Sequence, residues 1–457
     1  MMEMTSMGLL RNCLVEIDYQ GNAIPELAKS WEASPDAQQW TFNIRKGVEF
    51  HNAKTLDAED VIYSINLNRG EKSKSNMRIQ LEIINEIRKV DKYTITFYLN
   101  SANVDFPYLM SSPLLPIVSK GTTNFGKGTG TGGYILHKFI PGERLFAIRN
   151  PNYWKEGRAH FDEVEIIVIQ DTMARTNALE TGQINLMNRV DLSSAPLLEK
   201  KSRIQLINVT GKGHYTMPML TDRPPYENNN VRLALKYAID RKELLKKILR
   251  GYGTLGNDQP ISPSYRFYDY DLPQRNYDPE KAKFYMKKSG LDDYTFKLHA
   301  ADAAFAGAVD AAMLYKESAA KAGIKIEVVK EPNDGYWSNV WMKKNWFLSA
   351  WRGRPTEDLM FSTAYAFKAR WNESLWKNEK FNRLLNEARS ELDYRKRREL
   401  YAELQRIVRD EGGSIIPLFL NIVDAASKKV KYRNIAKDRE LDGLRAPERM
   451  WCPPPSC

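Results

Sequence analysis

The chain has 457 residues, of which 42% are hydrophobic and 27% charged, and its net charge is +11. This length is too great for one ordinary hydrophobic core, and the composition excludes a disordered or collagen-like chain. The basic balance would suit nucleic-acid binding, but the lysines and arginines are scattered among 57 acidic residues and no nucleic-acid-binding motif accompanies them. We therefore predict no nucleic-acid partner, and the lack of a run of roughly 20 apolar residues predicts no membrane-spanning segment.

The first part of the chain mixes strands with helices. WTFNIRKGVEF, from Trp40, alternates apolar and polar residues and predicts a strand. LDAEDVIYSI offers Asp57 as an N-cap with Asp60 three residues later, which predicts the start of a helix. YTITFYL, from Tyr93, is a second alternating strand, whereas FDEVEIIVI, from Phe161, is more continuously apolar, so we expect a strand that is buried on both faces.

The second part carries longer helices. VRLALKYA, from Val231, places apolar residues at helical spacing, and Asp240 caps the next predicted helix. Another apolar stripe begins at Leu400 and ends before Gly412, and the strand-like SIIPLFL follows it. The alternation of helices and strands predicts α/β lobes with a mixed α+β character.

The common cofactor and catalytic motifs are missing or out of context. Gly128, Gly130 and Gly133 have GxGxxG spacing, but the strand-like YILHKFI follows them where a dinucleotide site requires a helix, so we interpret the loop as a tight crossing of segments. The five histidines are isolated, and neither GxSxG nor a P-loop occurs. We predict no cofactor, no metal and no catalytic residues.

Aromatic residues cluster in one stretch of sixteen residues. Two interpretations stay open, because such residues either fill a core or form the wall of a small-molecule pocket. The six residues are Tyr336, Trp337, Trp341, Trp346, Phe347 and Trp351.

Several segments together resemble the family 5 extracellular solute-binding proteins, the receptors of peptide-type ABC importers. The similarity extends from about Leu14 to Val430. The segments that carry it are PELAKSWEASPDAQQWTFNIRKGVEFHNAKTLDAEDVIYSI, GTGGYILHKFIPGERLFAIRNPNYW, FDEVEIIVIQDTMARTNALETGQINL, PPYENNNVRLALKYAIDRKELLKKILRGYGT and FNRLLNEARSELDYRKRRELYAELQRIVRDEGGSIIPL.

This resemblance implies a bilobal periplasmic-binding-protein-like fold with two hinge crossings and an extra subdomain in the first lobe. The first lobe would hold residues 1–30, 135–224 and 425–457, the inserted subdomain 31–134, and the second lobe 225–424. PPYENNN is a plausible crossing, because Pro-Pro stiffens the backbone.

The resemblance also implies a function. The protein would be a monomeric, non-enzymatic periplasmic or extracellular receptor that captures a carboxylate-bearing solute, such as a peptide, an opine or an amino-acid conjugate, and delivers it to a membrane permease. An α/β hydrolase acting on a small peptide or ester is the alternative. Family members begin with a signal peptide, which this sequence does not show, so we expect a truncated start; the terminal CPPPSC is assigned no function.

The stretch WRGRPTED suggests the ligand contact. Peptide-binding relatives carry an aspartate after the tryptophan, and this chain has Arg354 in its place. A guanidinium pairs with a carboxylate through two parallel hydrogen bonds, so we expect Arg354, together with Arg352, to bind a carboxylate of the ligand. Trp351 and Trp337 would stack on its body, and the alternative is an ion pair of these arginines with Glu357 or Asp358.

Four further residues are weaker candidates. His214 and Tyr215 come just before the predicted crossing, Thr131 lies in a loop that approaches the cleft in relatives, and Asn372 follows a tryptophan in RWNESLW.

Overall fold

The computed structural model describes residues 7–453, and the chain forms two compact units. Unit 1 contains the described residues up to Ile207, residues 389–392, and those from Val423 onward. Unit 2 contains Asn208–Ala388 and Asp393–Ile422. Two of the unit boundaries lie inside long strands, β11 (Ile204–Pro218) and β16 (Ser414–Ser427), and the other two flank residues 389–392.

Unit 1 is built mainly from short strands and short helices. Its strands are β1 (Val15–Ile17), β2 (Ala23–Pro25), β3 (Ala28–Ala33), β4 (Gln39–Ile44), β5 (Ile84–Asp91), β6 (Thr94–Leu99), β7 (Tyr134–Ile140), β8 (Arg144–Arg149), β9 (Glu163–Ile167) and β10 (Leu186–Met187). Its helices before β11 are α1 (Ala58–Asn66), α2 (Arg78–Leu81), α3 (Phe106–Leu109), α4 (Thr172–Glu180) and α5 (Ala195–Glu199).

A four-stranded antiparallel sheet, in the order β3-β4-β6-β5, lies over the first core. The two alternating strands predicted from the sequence are β4 and β6, which are neighbours in this sheet. Phe42 and Phe97 both belong to the first core, and their rings pack edge to face 5.5 Å apart. Helix α1 begins with the predicted capping box, in which each of the carboxylates of Asp57 and Asp60 accepts a hydrogen bond from the backbone N–H of the other residue.

The strand predicted to be buried on both faces is β9, and that expectation is wrong. Its residues are exposed or partly buried, so neither face of the strand is completely covered by other elements. β9 is also an edge strand, which pairs only with β8 in the three-stranded sheet β7-β8-β9.

The glycine-rich loop before β7 is a close crossing of two backbone segments, as predicted. A Cβ atom at Gly130 would lie 2.1 Å from the carbonyl oxygen of Leu10, and one at Gly132 would lie 2.3 Å from that of Leu9. Only glycine allows this approach.

Unit 2 contains longer helices. Its helices are α6 (Asn229–Tyr237), α7 (Arg241–Lys247), α8 (Pro279–Ser289), α9 (Ala308–Ala320), α10 (Tyr336–Asn339), α11 (Glu357–Ala364), α12 (Glu379–Ser390) and α13 (Tyr394–Glu411). The last two residues of α12 belong to the segment 389–392 that groups with unit 1. Its strands, besides its parts of β11 and β16, are β12 (Gly253–Leu255), β13 (Thr295–Ala300), β14 (Lys325–Lys330) and β15 (Ser349–Trp351). A single-turn helix, α14 (Ala446–Arg449), belongs to unit 1.

A five-stranded sheet has the order β10-β16-β11-β15, and β12 also pairs with β16. A separate parallel pair joins β13 to β14. The apolar stripe of α6 is buried from Val231 to Ala238, and Asp240 caps α7 through its carboxylate. Both features agree with the sequence prediction. Within residues 7–453, every helix is either too short or too polar to serve as a transmembrane segment.

The three-part division expected from the sequence stays a prediction. PPYENNN, expected at a crossing near residue 224, lies within unit 2, whose boundary in this segment falls inside β11. Residues 454–457 of the CPPPSC tail lie outside the described residues.

Candidate ligand-binding site

The pairing of β11 with β15 brings His214 and Trp351 together in unit 2. These residues are direct cross-strand partners, as are Tyr215 with Ala350 and Thr216 with Ser349. Side chains of directly paired residues lie on the same face of a sheet. His214 is completely buried and Trp351 is 8% exposed, so the pair forms one wall of the candidate site.

Arg354 lies over this wall. It follows β15 in the loop before α11, and its Cζ atom is 5.4 Å from the centre of the Trp351 ring. The backbone N–H of Arg354 donates to the hydroxyl of Tyr265 at 3.0 Å, which fixes the course of the loop. Arg352 is exposed, so the two predicted arginines have different environments.

The sequence analysis missed Lys212, a buried cation beside this loop. It is 5% exposed, its ammonium donates to the carbonyl of Pro355 at 2.8 Å, and the same ammonium lies 4.6 Å from the centre of the Tyr265 ring. A Cβ atom at Gly353 would lie 2.2 Å from the Cβ of Lys212, so the glycine between the two arginines permits the close approach of loop and strand. Gly211 and Gly213, which flank Lys212, are the one sequence signal that another segment packs closely on this strand.

His214 has an electrostatic environment that disfavours its charged form. Burial lowers its pKa to about 3, and the positive charge of Arg354 acts in the same direction. The backbone of Lys212 acts on the pKa in the opposite direction, by less than burial does, and neither ring nitrogen makes a hydrogen bond of ordinary geometry within residues 7–453. The ring packs edge to face on Phe419 at 6.1 Å. The imidazole is therefore neutral near pH 7.

A second residue that the sequence analysis missed, Glu373, organises the indoles. Its carboxylate accepts hydrogen bonds from Trp341 Nε1 at 2.5 Å, Ser349 Oγ at 2.6 Å and Trp351 Nε1 at 2.7 Å. Burial raises the pKa of Glu373, and these hydrogen bonds oppose that rise. Its position directly after the predicted candidate Asn372 is the only sequence hint of this role.

Asn372 itself orders the local chain. It is buried, its amide donates to the carbonyl of Trp376 at 2.8 Å, and its oxygen accepts from the hydroxyl of Ser374 at 3.3 Å. These contacts hold the turn that presents Glu373.

Trp337 and Tyr215 have different surroundings. Trp337 is 48% exposed and packs edge to face on Trp341 at 6.2 Å, so it connects to Glu373 through that second indole. Tyr215 neighbours His214 on β11 and so points to the opposite face of the sheet, where it stacks on Phe305 at 3.7 Å. Burial raises the pKa of Tyr215 to about 12.

Thr131 lies in unit 1 and makes local contacts there. It is completely buried, its hydroxyl donates to Asn12 Oδ1 at 2.9 Å, and its carbonyl accepts from Trp154 Nε1 at 3.2 Å. The structure thus brings together Trp351, Arg354 and His214, with Trp337 linked through Trp341, whereas Arg352 and Tyr215 have other environments.

Glu357 was one of the two acids considered as ion-pair partners for Arg352 and Arg354, and its contacts are with other residues. Glu357 is completely buried, and its carboxylate accepts from the backbone N–H of Phe267 at 2.7 Å and lies 3.5 Å from Arg266.

Each unit also has a cavity of its own, and none of the eight predicted residues lines either one. The cavity of unit 1 measures about 790 Å³ and is bordered by Glu16, Arg158 and Trp451 among others. That of unit 2 measures about 600 Å³ and is bordered by Asp222, Arg232 and others.

Three buried carboxylates of unit 1 could in principle ligate a metal ion. Glu16, Glu26 and Glu448 offer oxygens within 4.8 Å of one another. The ammonium of Lys155, however, lies 2.5 to 3.0 Å from all three, and the guanidinium of Arg445 contacts them as well. Burial would raise the pKa of Glu448, but these two cations hold it at about 2. The group is therefore a compensated ion network.

Comparison with known proteins identifies relatives across most of the chain. The family model for bacterial extracellular solute-binding proteins, family 5 Middle, matches residues 22–373. The dipeptide-binding protein of Escherichia coli is 25% identical over 468 residues, covering 92% of this chain and 86% of that protein. Heme-binding protein A of Haemophilus influenzae is 28% identical over 308 residues, covering 61% of this chain and 56% of that protein.

Solved structures share the fold over nearly the full length. HbpA2 from Haemophilus parasuis superposes with a TM-score of 0.88 at 22% identity, covering 98% of this chain and 95% of that one. The binding protein AgaA from A. tumefaciens R10, in complex with agropinic acid, superposes with a TM-score of 0.76 at 22% identity, covering 98% and 94%. The predicted fold class, a mixed helix and sheet fold of the periplasmic-binding-protein type, is confirmed.

Proposed function

The chain belongs to the family 5 bacterial extracellular solute-binding proteins, and on that premise we propose that it captures a small carboxylate-bearing solute and delivers it to the permease of an ABC importer. This family supplies the substrate-binding components of such importers, so the main function predicted from the sequence is supported over the hydrolase alternative. The protein would act outside the cytoplasmic membrane, as a monomer and without nucleic acid.

The observation that carries the carboxylate assignment is the placement of Arg354 over Trp351. The resemblance described above implies an aspartate at the matching position of peptide-binding relatives, so the sign of the contact would be reversed here. A guanidinium can pair with a carboxylate through two parallel hydrogen bonds, and the indole face beside Arg354 is a flat apolar surface for the rest of the solute. Dipeptides, heme and agropinic acid, which the names of relatives mention, all carry carboxylates.

The cations around this contact also favour an anion. Lys212 lies under the same loop, and His214 stays neutral and adds no opposing charge. An uncompensated carboxylate would be costly to bury, whereas one paired with a guanidinium is stabilised. Closing of the protein around the solute, as in periplasmic binding proteins in general, would complete the enclosure.

Identification of the solute is the first test. Protein purified without denaturation is analysed by mass spectrometry, and the solute recovered from it is titrated back into stripped protein by calorimetry. Arg354→Ala should weaken this binding about tenfold to a hundredfold, because a hydrogen bond to a charged group contributes roughly 1.5–3 kcal/mol. The thermal unfolding midpoint should change little.

Arg398→Ala is the matched control, since Arg398 is an exposed arginine on α13 of the same unit. A dissociation constant that is unchanged in Arg354→Ala, or raised equally by both substitutions, would contradict the carboxylate contact. Recovery of the solute unaltered after incubation supports a binding role without catalysis, and release of a hydrolysed product would refute it.

A further inference from the structure

Four tryptophans of unit 2 form a connected array. The Trp337 ring packs on that of Trp341 with centres 6.2 Å apart, and the Trp351 ring packs on that of Trp371 at 6.1 Å. Glu373 joins the two pairs, because one carboxylate oxygen accepts from the indole N–H of Trp341 and the other from that of Trp351. We refer to these four residues as the tryptophan array.

The two ends of the array face outward. Trp337 is 48% exposed and Trp371 is 41% exposed, while the inner ring of Trp351 is 8% exposed. Phe367, four residues before Trp371, is 45% exposed. Large aromatic side chains grouped at a surface mark an interaction site more often than isolated ones do.

Cations lie at the end of the array that holds Trp351 and Trp371. Arg354 lies over Trp351, and Lys368 and Arg370 come three residues and one residue before Trp371 in the chain. The acid within the array, Glu373, is 4% exposed and points its oxygens at indole and hydroxyl donors. An anion that approaches this surface therefore meets cations and aromatic faces together.

Glu373 also holds the inner rings in fixed orientations. An indole whose N–H is bound to a buried carboxylate loses little further side-chain freedom when a second ring stacks on it or on its neighbour. Such a surface discriminates by shape, because a planar π-system matches aromatic faces better than a puckered saturated ring does.

From these contacts we propose that the tryptophan array binds a flat, conjugated ring system on the same solute whose carboxylate pairs with Arg354. This inference rests on the proposed function and narrows its substrate class from carboxylates in general to aromatic or otherwise conjugated planar carboxylates.

Two probes of equal charge and similar size test the effect of ring planarity on affinity while the charge stays constant. 2-Naphthoate is flat and conjugated, whereas decahydro-2-naphthoate is saturated and puckered. In calorimetric titrations of the stripped full-length protein, we expect 2-naphthoate to bind at least about tenfold more tightly. Trp337→Leu and Trp371→Leu, at exposed positions, should reduce this preference severalfold, and Glu373→Gln should reduce it by releasing the inner indoles.

Phe284→Leu is the control, because Phe284 is a 60% exposed aromatic residue on α8 outside the array. Equal affinities for the two probes, or a preference that survives both tryptophan substitutions, would overturn the array's role. If both probes bind equally and Arg354→Ala weakens both, only this inference fails and the proposed function stands. Binding of neither acid up to millimolar concentration also overturns the inference, and the solute recovered from the protein then decides the proposed function separately.

Discussion

His214 is a completely buried imidazole that packs on Phe419. Burial lowers its pKa to about 3, compared with about 6.5 in an unfolded chain. Between these values the unfolded state binds more protons, so the free energy of unfolding falls as the pH decreases from 6.5 towards 3.

Substitution of His214 isolates this contribution. On going from pH 7 to pH 5, wild-type protein should lose about 2 kcal/mol more unfolding free energy than His214→Phe, measured by urea denaturation at both values. His137→Gln, at an exposed histidine, should behave as the wild type does. Equal pH dependence in wild type and His214→Phe would show that His214 titrates normally.

The charged residues of the site show what local sequence patterns cannot predict. Arg354 and Trp351 were identified because the resemblance aligned them with a known contact, and the structure places them together. Lys212 and Glu373 were missed because lysine and glutamate are almost never fully buried unless they are paired. Their burial depends on partners that are 143 and 32 residues away in the chain, and no periodicity encodes such distances.

At the scale of elements, strands and caps with purely local signals were predictable. Strand β4 and the capping box of α1 depend on side-chain alternation and on residues three apart, and both formed as expected. The environment of β9 was not predictable, because an apolar run specifies a strand but not which elements cover the faces of its sheet. Burial on both faces depends on the packing of other layers, which is a non-local property.

The glycine loop before β7 is an element whose role can be tested directly. Gly130→Ala would place a methyl group 2.1 Å from the carbonyl oxygen of Leu10, and backbone atoms cannot move aside as a flexible side chain can. We expect a loss of about 1–3 kcal/mol in unfolding free energy, measured by chemical denaturation. Gly126→Ala, whose methyl group would meet only the Asn124 side chain at 3.2 Å, should cost less. A Gly130→Ala protein as stable as Gly126→Ala would exclude a steric role for the crossing.

For the whole molecule, the ordered set of similar segments predicted the fold although no single segment did. Resemblance along the chain carries information about strand pairing that periodicity lacks. Strand β16, for example, pairs with β10 of unit 1 and with β12 of unit 2. The positions at which the chain changes units depend on where long strands are divided between cores, and no local sequence pattern specifies that division.

The net charge of +11 also acts at this scale. A positive field over the surface raises the local concentration of an anion and accelerates its encounter with the site, and salt screens that field. In stopped-flow measurements with the solute recovered from the protein, the association rate constant should fall severalfold as ionic strength rises from about 20 mM to about 500 mM. The dissociation rate constant reports short-range contacts and should change less.

Arg354→Ala separates the whole-molecule field from the local contact. The substitution lowers the net charge only from +11 to +10, so the relative decrease of the association rate constant with salt should persist. The dissociation rate constant should instead rise, since the short-range ion pair is lost. An association rate constant independent of salt in the wild-type protein would mean that the solute carries no net negative charge, and the assignment of an anionic ligand would be wrong.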